Sequence, residues 1–156
     1  MRQRHIQERI GLSGRVTIQV RDLNGTLLRV VEQDNLVVKT GRNLMRDLLG
    51  GFVTAFPSHL AAGTNGTAAA DEDIALAEEV TRILVISRTQ GVSQLTIRAF
   101  MGSTVGNGFD YVEAGLFNGS ASDANAVMFS RATHDPITKS ASNTITYIWN
   151  LQLTSI

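Results

Sequence analysis

Cysteine is missing from the 156-residue sequence, and long apolar segments are missing as well. Without cysteine the fold uses neither disulfides nor thiolate metal sites, and it is able to form in a reducing cytoplasm. No apolar run approaches the length of a membrane span, and residues 1–9 lack the apolar core of a signal peptide. We therefore expect no membrane partner, and synthesis in the cytoplasm.

The sequence also carries no net charge, because 14 basic residues balance 14 acidic ones. Overall charge therefore predicts no attraction to nucleic acid or to an acidic membrane. Lysine is scarce: Lys39 and Lys139 are the only two, and the other twelve basic residues are Arg. Because the planar guanidinium pairs bidentately with carboxylates and is weakly hydrated, this bias favours protein interfaces.

The sequence does contain short alternating segments separated by turn signals. Apolar residues alternate with polar ones at 16–20, and Asn24-Gly25 precedes a second apolar run at 27–31, which is typical of a β-hairpin. One short helix is predicted at about 42–49, where leucines and Met45 share a face before Gly50-Gly51. Further short strands are predicted near 36–38, 60–63, 83–85, 95–99, 111–117 and 127–132.

The strictly alternating, Thr-rich run at 143–154 is predicted to be the last strand. At a sheet edge it would offer free backbone groups to another chain; in a central position its apolar residues pack one face of the core. We favour the second interpretation. The apolar residues concerned are Ile145, Tyr147, Trp149, Leu151 and Leu153.

These segments predict a mainly β fold, a single-domain antiparallel β-sandwich or small barrel with one short helix, over residues 15–156. Residues 1–14 are polar and Arg-rich and are bounded by Gly11 and Gly14, so we expect an extended N-terminal arm. The arm is either a disordered terminus or a segment laid across a neighbouring subunit, where Arg pairs with carboxylates and Ile fills small pockets. The candidate assembly contacts are Arg2, Arg4, Ile6, Arg9, Ile10 and Arg15.

No group of residues predicts a catalytic site, a metal site or a cofactor. His5, His59 and His134 are too far apart in sequence for a metal motif, and the acidic residues at 71–73 lack the spacing of a calcium loop. Ser130 beside His134 and Asp135 suggests a nucleophilic triad, but no nucleophile elbow is present and His134 precedes Pro136 in a predicted turn. We expect no enzymatic activity, and a small-molecule ligand is disfavoured.

The order of several short motifs resembles that of small structural proteins of tailed bacteriophages. These motifs lie at 35–44, 59–68, 73–76, 79–82, 113–117, 128–132 and 136–139, followed by the terminal alternating strand. The resemblance covers roughly residues 35–154. It implies a structural role, usually as an oligomer, and a location in the virion after synthesis in the host bacterial cytoplasm.

The sequence therefore predicts a non-enzymatic virion component of the tail or fibre attachment. The expected partners are copies of itself, with a trimer favoured, and other virion proteins, but no nucleic acid. An alternative is a capsid cement or decoration protein that stabilises the head shell. An alternative of another class is a host-glycan-binding module, for which the supply of aromatic residues, Trp149, two Tyr and six Phe, is small.

Overall fold

Eight β-strands and one α-helix follow one another along residues 9–156, the part of the chain that the computed structural model describes. Every strand pairing is antiparallel. The elements are β1 (Ile10–Asp22), β2 (Leu27–Val37), α1 (Lys39–Leu49), β3 (His59–Gly63), β4 (Glu79–Gly91), β5 (Gln94–Met101), β6 (Phe109–Phe117), β7 (Met128–Lys139) and β8 (Asn143–Ser155).

The strands close into a barrel in the order β1-β2-β7-β6-β3-β4-β5-β8. An eight-stranded barrel has an interior just wide enough to be filled by side chains. Here every second residue of the long strands supplies them, so that the core includes Val16 and Ile18 of β1, Ile97 of β5, and Tyr147 and Trp149 of β8. Of the two predicted architectures, the structure has the barrel.

The β1–β2 hairpin is confirmed. It turns through Asn24-Gly25, where Gly25 adopts a φ of 83° that L side chains rarely take, and the Asp22 carboxylate accepts hydrogen bonds from the backbone N–H groups of Asn24 and Thr26. Strand β2 continues to Val37, so it joins the predicted strands at 27–31 and 36–38 through the polar residues 32–35. Their side chains are largely exposed, so the ladder tolerates them.

Helix α1 begins three residues before the predicted start. Gly41 lies in its first turn and reads as a helix breaker, yet a methyl group at this position would overlap the carbonyl oxygen of Phe129 in β7. The glycine therefore permits close packing of α1 against the barrel. The predicted apolar face is confirmed: Leu44 is buried, and Met45 and Leu48 pack against the core. Among the described residues, no helix has the length and apolar character needed to cross a bilayer.

Strand β7 extends beyond its predicted end and includes Pro136, so the predicted turn at His134 is wrong. The register shifts here: Tyr111 lies opposite Ile137, and Glu113 lies opposite Thr133. The resulting irregularity accommodates a proline within the strand, because it leaves residues out of the regular ladder.

The closing strand β8 pairs with β1 on one side and β5 on the other, so it has no free edge within the barrel. Its inward face is buried from Ile145 to Leu151, as the core interpretation predicts, whereas Leu153 is 43% exposed where the strand leaves the core. A smaller apolar cluster lies outside the barrel wall, where Leu76 of the β3–β4 connection packs with Phe117 and Met128.

The predicted arm is shorter than expected at its C-terminal end. Residues 10–14 belong to β1 and pair with β8 from Ser155 to Leu151. The physical reason is that β8 extends to Ser155 and supplies partners for these residues, while the glycines at 11 and 14 adopt extended backbone within the ladder. Residues 1–8 lie outside the described part of the chain.

Candidate assembly surfaces

The candidate assembly contacts are only partly placed by the structure. Arg2, Arg4 and Ile6 lie outside the described residues. Arg9 precedes β1, and its carbonyl oxygen accepts a hydrogen bond from the N–H of Ile156 at 3.0 Å. The remaining two, Ile10 and Arg15, lie in β1, and both line one groove at the same end of the barrel.

This groove, called the β1 groove below, has a volume of about 710 Å³ and runs between the start of β1 and the end of β2. Arg15 forms an ion pair with Glu32 at 3.1 Å across the hairpin, so its nearest carboxylate belongs to its own chain. The remaining wall carries both polar and apolar groups. It consists of Leu12, Ser13, Gly14, Asp34, Asn35, Leu36, Val37, Arg42, Gln94, Asn150 and Gln152.

Beside the β1 groove, the same end of the barrel exposes large apolar side chains. Two further grooves of about 420 and 550 Å³ lie between α1 and the strand ends, and Met45, Leu48 and Leu153 line both. Val92 at the β4–β5 turn is 95% exposed and Leu49 is 86% exposed. We call this surface the apolar end; its exposed members are Ile10, Leu49, Phe56, Val92, Leu153 and Ile156.

Contiguous exposed apolar surface on a folded protein marks an interaction site more often than scattered single residues do. The apolar end was not predicted from the sequence. Leu49 and Leu153 fit the periodicity of core-facing positions, and only the structure shows that α1 and β8 project past the core. A weak signal was present in Val92, because a large apolar residue between Gly91 and Ser93 is unusual for a turn.

A buried ion pair fixes the β3–β4 connection against the outer barrel wall. Glu113 is fully buried, and its carboxylate accepts hydrogen bonds from the backbone N–H groups of Ala77 at 3.0 Å and Glu78 at 2.7 Å. Arg131 donates to the same carboxylate from Nε and Nη2, at 3.0 and 2.8 Å. It also donates to Asp73 at 2.8 Å.

Charge-assisted bonds of this kind are strong in a buried site, and here they have a structural role. The carboxylate of Glu113 and the guanidinium of Arg131 are occupied by contacts within the chain. The sequence does not reveal this pair, because the two residues belong to different strands and the connection they hold reads as a surface loop.

The structure does not bring the residues considered for catalysis and metal binding into one site, and His5 lies outside the described residues. His134 is buried, and its Nδ1 lies 2.8 Å from the carbonyl oxygen of Asp135, whereas the hydroxyl of Ser130 has no partner among the described residues. Burial lowers the pKa of His134. It also lowers the pKa of His59, which is less deeply buried. This geometry lacks the hydrogen bonds of a triad.

The acidic residues at 71–73 pair with basic side chains of the same chain. Asp71 binds Arg42 bidentately at 2.7 and 2.9 Å, Glu72 pairs with Lys39, and Asp73 pairs with Arg131. The Arg42 guanidinium holds the pKa of Asp71 below its usual range. Within residues 9–156, no three His, Cys, Asp or Glu side chains are grouped so as to hold a metal ion.

Comparison with known proteins gives no match. No protein-family model, no curated protein sequence and no solved structure is significantly similar to this chain.

Proposed function

We propose that this chain is a non-enzymatic structural protein of a bacteriophage virion that works as a homo-oligomer in the tail or at the fibre attachment, with a trimer as the favoured state. The resemblance in motif order motivates the virion assignment. The apolar end carries the assembly part of the proposal, because its side chains lose unfavourable contact with water only when another surface covers them.

The architecture supports a structural role. The barrel is closed, and β8 is paired with β1 and β5 on its two sides over most of its length, whereas β2 meets β7 only at Leu36 and Val37. Closure of a barrel shortens the free edges through which sheets aggregate without control, so that association is restricted to particular surfaces. The apolar end groups six exposed apolar side chains at one end of this body, where neighbouring copies or another virion protein can pack against them.

The alternative placement, as a capsid cement or decoration protein, requires the same kind of surface but a different neighbour. Imaging of the assembled particle at a resolution that identifies an eight-stranded barrel tests the placement. Density for the barrel on the tail or at the fibre attachment supports the proposal. Density distributed over the head shell supports the cement protein, and absence of the barrel from the particle overturns both.

A host-glycan-binding module has one observation in its favour. The β1 groove presents Gln94, Asn150 and Gln152, whose amides are suited to sugar hydroxyls. Against it, Trp149, Tyr111 and Tyr147 are all buried in the core and present no face to a sugar ring. Binding of the purified protein to a glycan array, weakened by Asn150→Ala, would favour this alternative.

The oligomeric state is the most direct test of the assembly proposal. Sedimentation equilibrium of the full chain is expected to give a mass three times that of the 16.9 kDa monomer. Stable interfaces of standard size bury about 1,200–2,000 Å² in total. A monomer in solution that is also monomeric on the particle would overturn the proposal.

A further inference from the structure

Among residues 9–156, the first residues of β1 have a backbone edge without a partner strand. The carbonyl of Arg9 accepts from Ile156, so odd-numbered residues of β1 direct their backbone groups toward β8. Even-numbered residues therefore face β2, as the bond from the N–H of Asp22 to Thr26 confirms. The β2 ladder, however, reaches only to Gly14 opposite Asn35.

Consequently the N–H and C=O groups of Ile10 and Leu12 face the β1 groove, with no backbone partner among residues 9–156. Such a row of free donors and acceptors is the template on which an extended peptide adds as a further strand. This free edge is short: it offers backbone hydrogen bonds at two residues, Ile10 and Leu12.

A second observation at the same place points to a missing partner. The side-chain amide of Asn35 lies against Gly14 in the wall of the groove, and both its Nδ2 and its Oδ1 are buried without a hydrogen-bond partner among the described residues. A buried amide left unpaired costs about 1–3 kcal/mol.

We infer that this edge receives an extended segment of a second copy of the chain, namely residues 1–8. The inference rests on the homo-oligomer proposed above and identifies where its subunits exchange contacts. Eight extended residues reach roughly 26 Å, which is enough to leave one barrel and lie along the next.

The sequence of the segment argues against pairing with its own barrel. To reach the β1 edge of its own copy, it would have to reverse direction immediately before Ile10. Residues 1–9 contain no Gly, Pro, Asn, Asp or Ser, the residues that form tight turns.

The chemistry of the groove also fits this occupant. Asp34 lines the groove and forms no ion pair with any described residue, so it is available to Arg2 or Arg4 of the neighbour. Leu36 and Val37 provide apolar wall for Ile6. The Arg side chains of the segment thus pair with a carboxylate of the groove, and its central apolar side chain, Ile6, is buried against the groove wall.

The absence of cysteine allows a clean cross-linking test on the full chain. Two single variants, Ile6→Cys and Asp34→Cys, are purified, mixed and treated with a short bis-maleimide. A covalent pair of one copy of each variant is the expected product. The matched control replaces Asp34→Cys by Asp110→Cys, an exposed aspartate of β6 at the opposite end of the barrel, and is expected to give no such product.

The double variant Ile6→Cys with Asp34→Cys separates exchange between copies from folding back within one copy. A cross-link confined to single chains of the double variant would overturn the inference, as would the absence of any cross-link. Hydrogen exchange gives an independent measurement: the amides of Ile10 and Leu12 are expected to exchange roughly tenfold more slowly in the oligomer than in the diluted monomer.

Failure here is distinguishable from failure of the proposed function. An oligomer in which these two amides exchange at the monomer rate and no cross-link forms refutes the strand addition but leaves assembly through the apolar end intact. A chain that remains monomeric at every concentration refutes the proposed oligomer itself.

Discussion

Among individual residues, Glu113 illustrates how a buried charge is kept in this fold. Removing a carboxylate from water is costly, and the cost is offset only when strong partners surround it. Here Arg131 and the backbone N–H groups of Asn65, Ala77 and Glu78 provide them. The residue therefore couples two strands to the β3–β4 connection, in addition to the ion pairs of Asp71 and Glu72 and the packing of Leu76.

We expect Glu113→Ala to lower the free energy of unfolding by about 3 kcal/mol or more, because it leaves the buried guanidinium of Arg131 with one carboxylate fewer and three backbone donors unpaired. Urea denaturation followed by the fluorescence of Trp149, the single tryptophan, measures this. The control Glu32→Ala removes an exposed ion pair to Arg15 and is expected to cost less than about 1 kcal/mol. Equal losses in both variants would contradict the structural role of Glu113.

His134 is expected to make stability depend on pH. Its pKa is lowered in the folded state, mainly by burial, from the ordinary value of 6.5, so protonation favours the unfolded chain. The contribution to stability is fully present above pH 6.5 and is lost as pH falls from that value toward the lowered folded pKa. The slope contributed by this one proton is at most about 1.4 kcal/mol per pH unit.

We expect His134→Gln to flatten the dependence of the unfolding midpoint on pH below 6.5. The comparison is with His59→Gln, because His59 is less buried and its ring nitrogen lies 2.9 Å from the Ser58 hydroxyl. Urea midpoints measured at several pH values for both variants provide the test. A slope unchanged in His134→Gln would show that this side chain does not carry the dependence.

At the scale of elements, periodicity predicts the β1–β2 hairpin, the apolar face of α1 and the inward face of β8, because these features depend on neighbours within one segment. It does not predict which strands pair. The contacts of β1 with β8 and of β2 with β7 join distant parts of the chain, and no local pattern encodes them.

The same limit applies to the candidate site. Arg15 and Ile10 were predicted as contacts because they lie in the Arg-rich start of the chain, and they do line one groove. The free edge of β1 could not be predicted, because it depends on where the β2 ladder ends. The predicted turn before Pro136 and the predicted start of α1 after Gly41 were wrong. Each of these residues disrupts regular structure in isolation and is accommodated here by a neighbouring element.

The packing of α1 gives a further prediction. Gly41→Ala is expected to lower stability by about 1–3 kcal/mol, because the added methyl group meets the backbone of Phe129, which cannot rotate away. Asn43→Ala, on the exposed side of the same helix, is expected to be neutral or slightly stabilising, since alanine is the better helix former. Thermal unfolding of both variants tests this; an unaffected Gly41→Ala would mean that the helix can move away from β7.

For the whole molecule, the apolar end predicts which substitutions weaken association. Leu49→Glu with Val92→Glu is expected to raise the dissociation constant by about tenfold or more, because two charges would have to be buried in the interface. Both residues are highly exposed in the single chain, so its folding is expected to be unaffected. Sedimentation velocity at several concentrations measures the change.

The matched control is Leu84→Glu with Ile86→Glu, which places the same charges on exposed apolar positions of the outer wall of β4. This variant is expected to associate like the parent chain. If both double variants weaken association equally, the interface does not lie at the apolar end.

The pairing of β1 with β8 also has a consequence for how the protein is made. The β1–β2 hairpin forms early on the ribosome, but its inner face of Val16, Ile18 and Val20 has no complete cover until β8 emerges. Closure by such distant contacts is slow, on the order of milliseconds to seconds. The nascent chain must therefore carry an exposed apolar face until β8 has been translated, and native barrels accumulate only after translation has passed Asn143–Ser155.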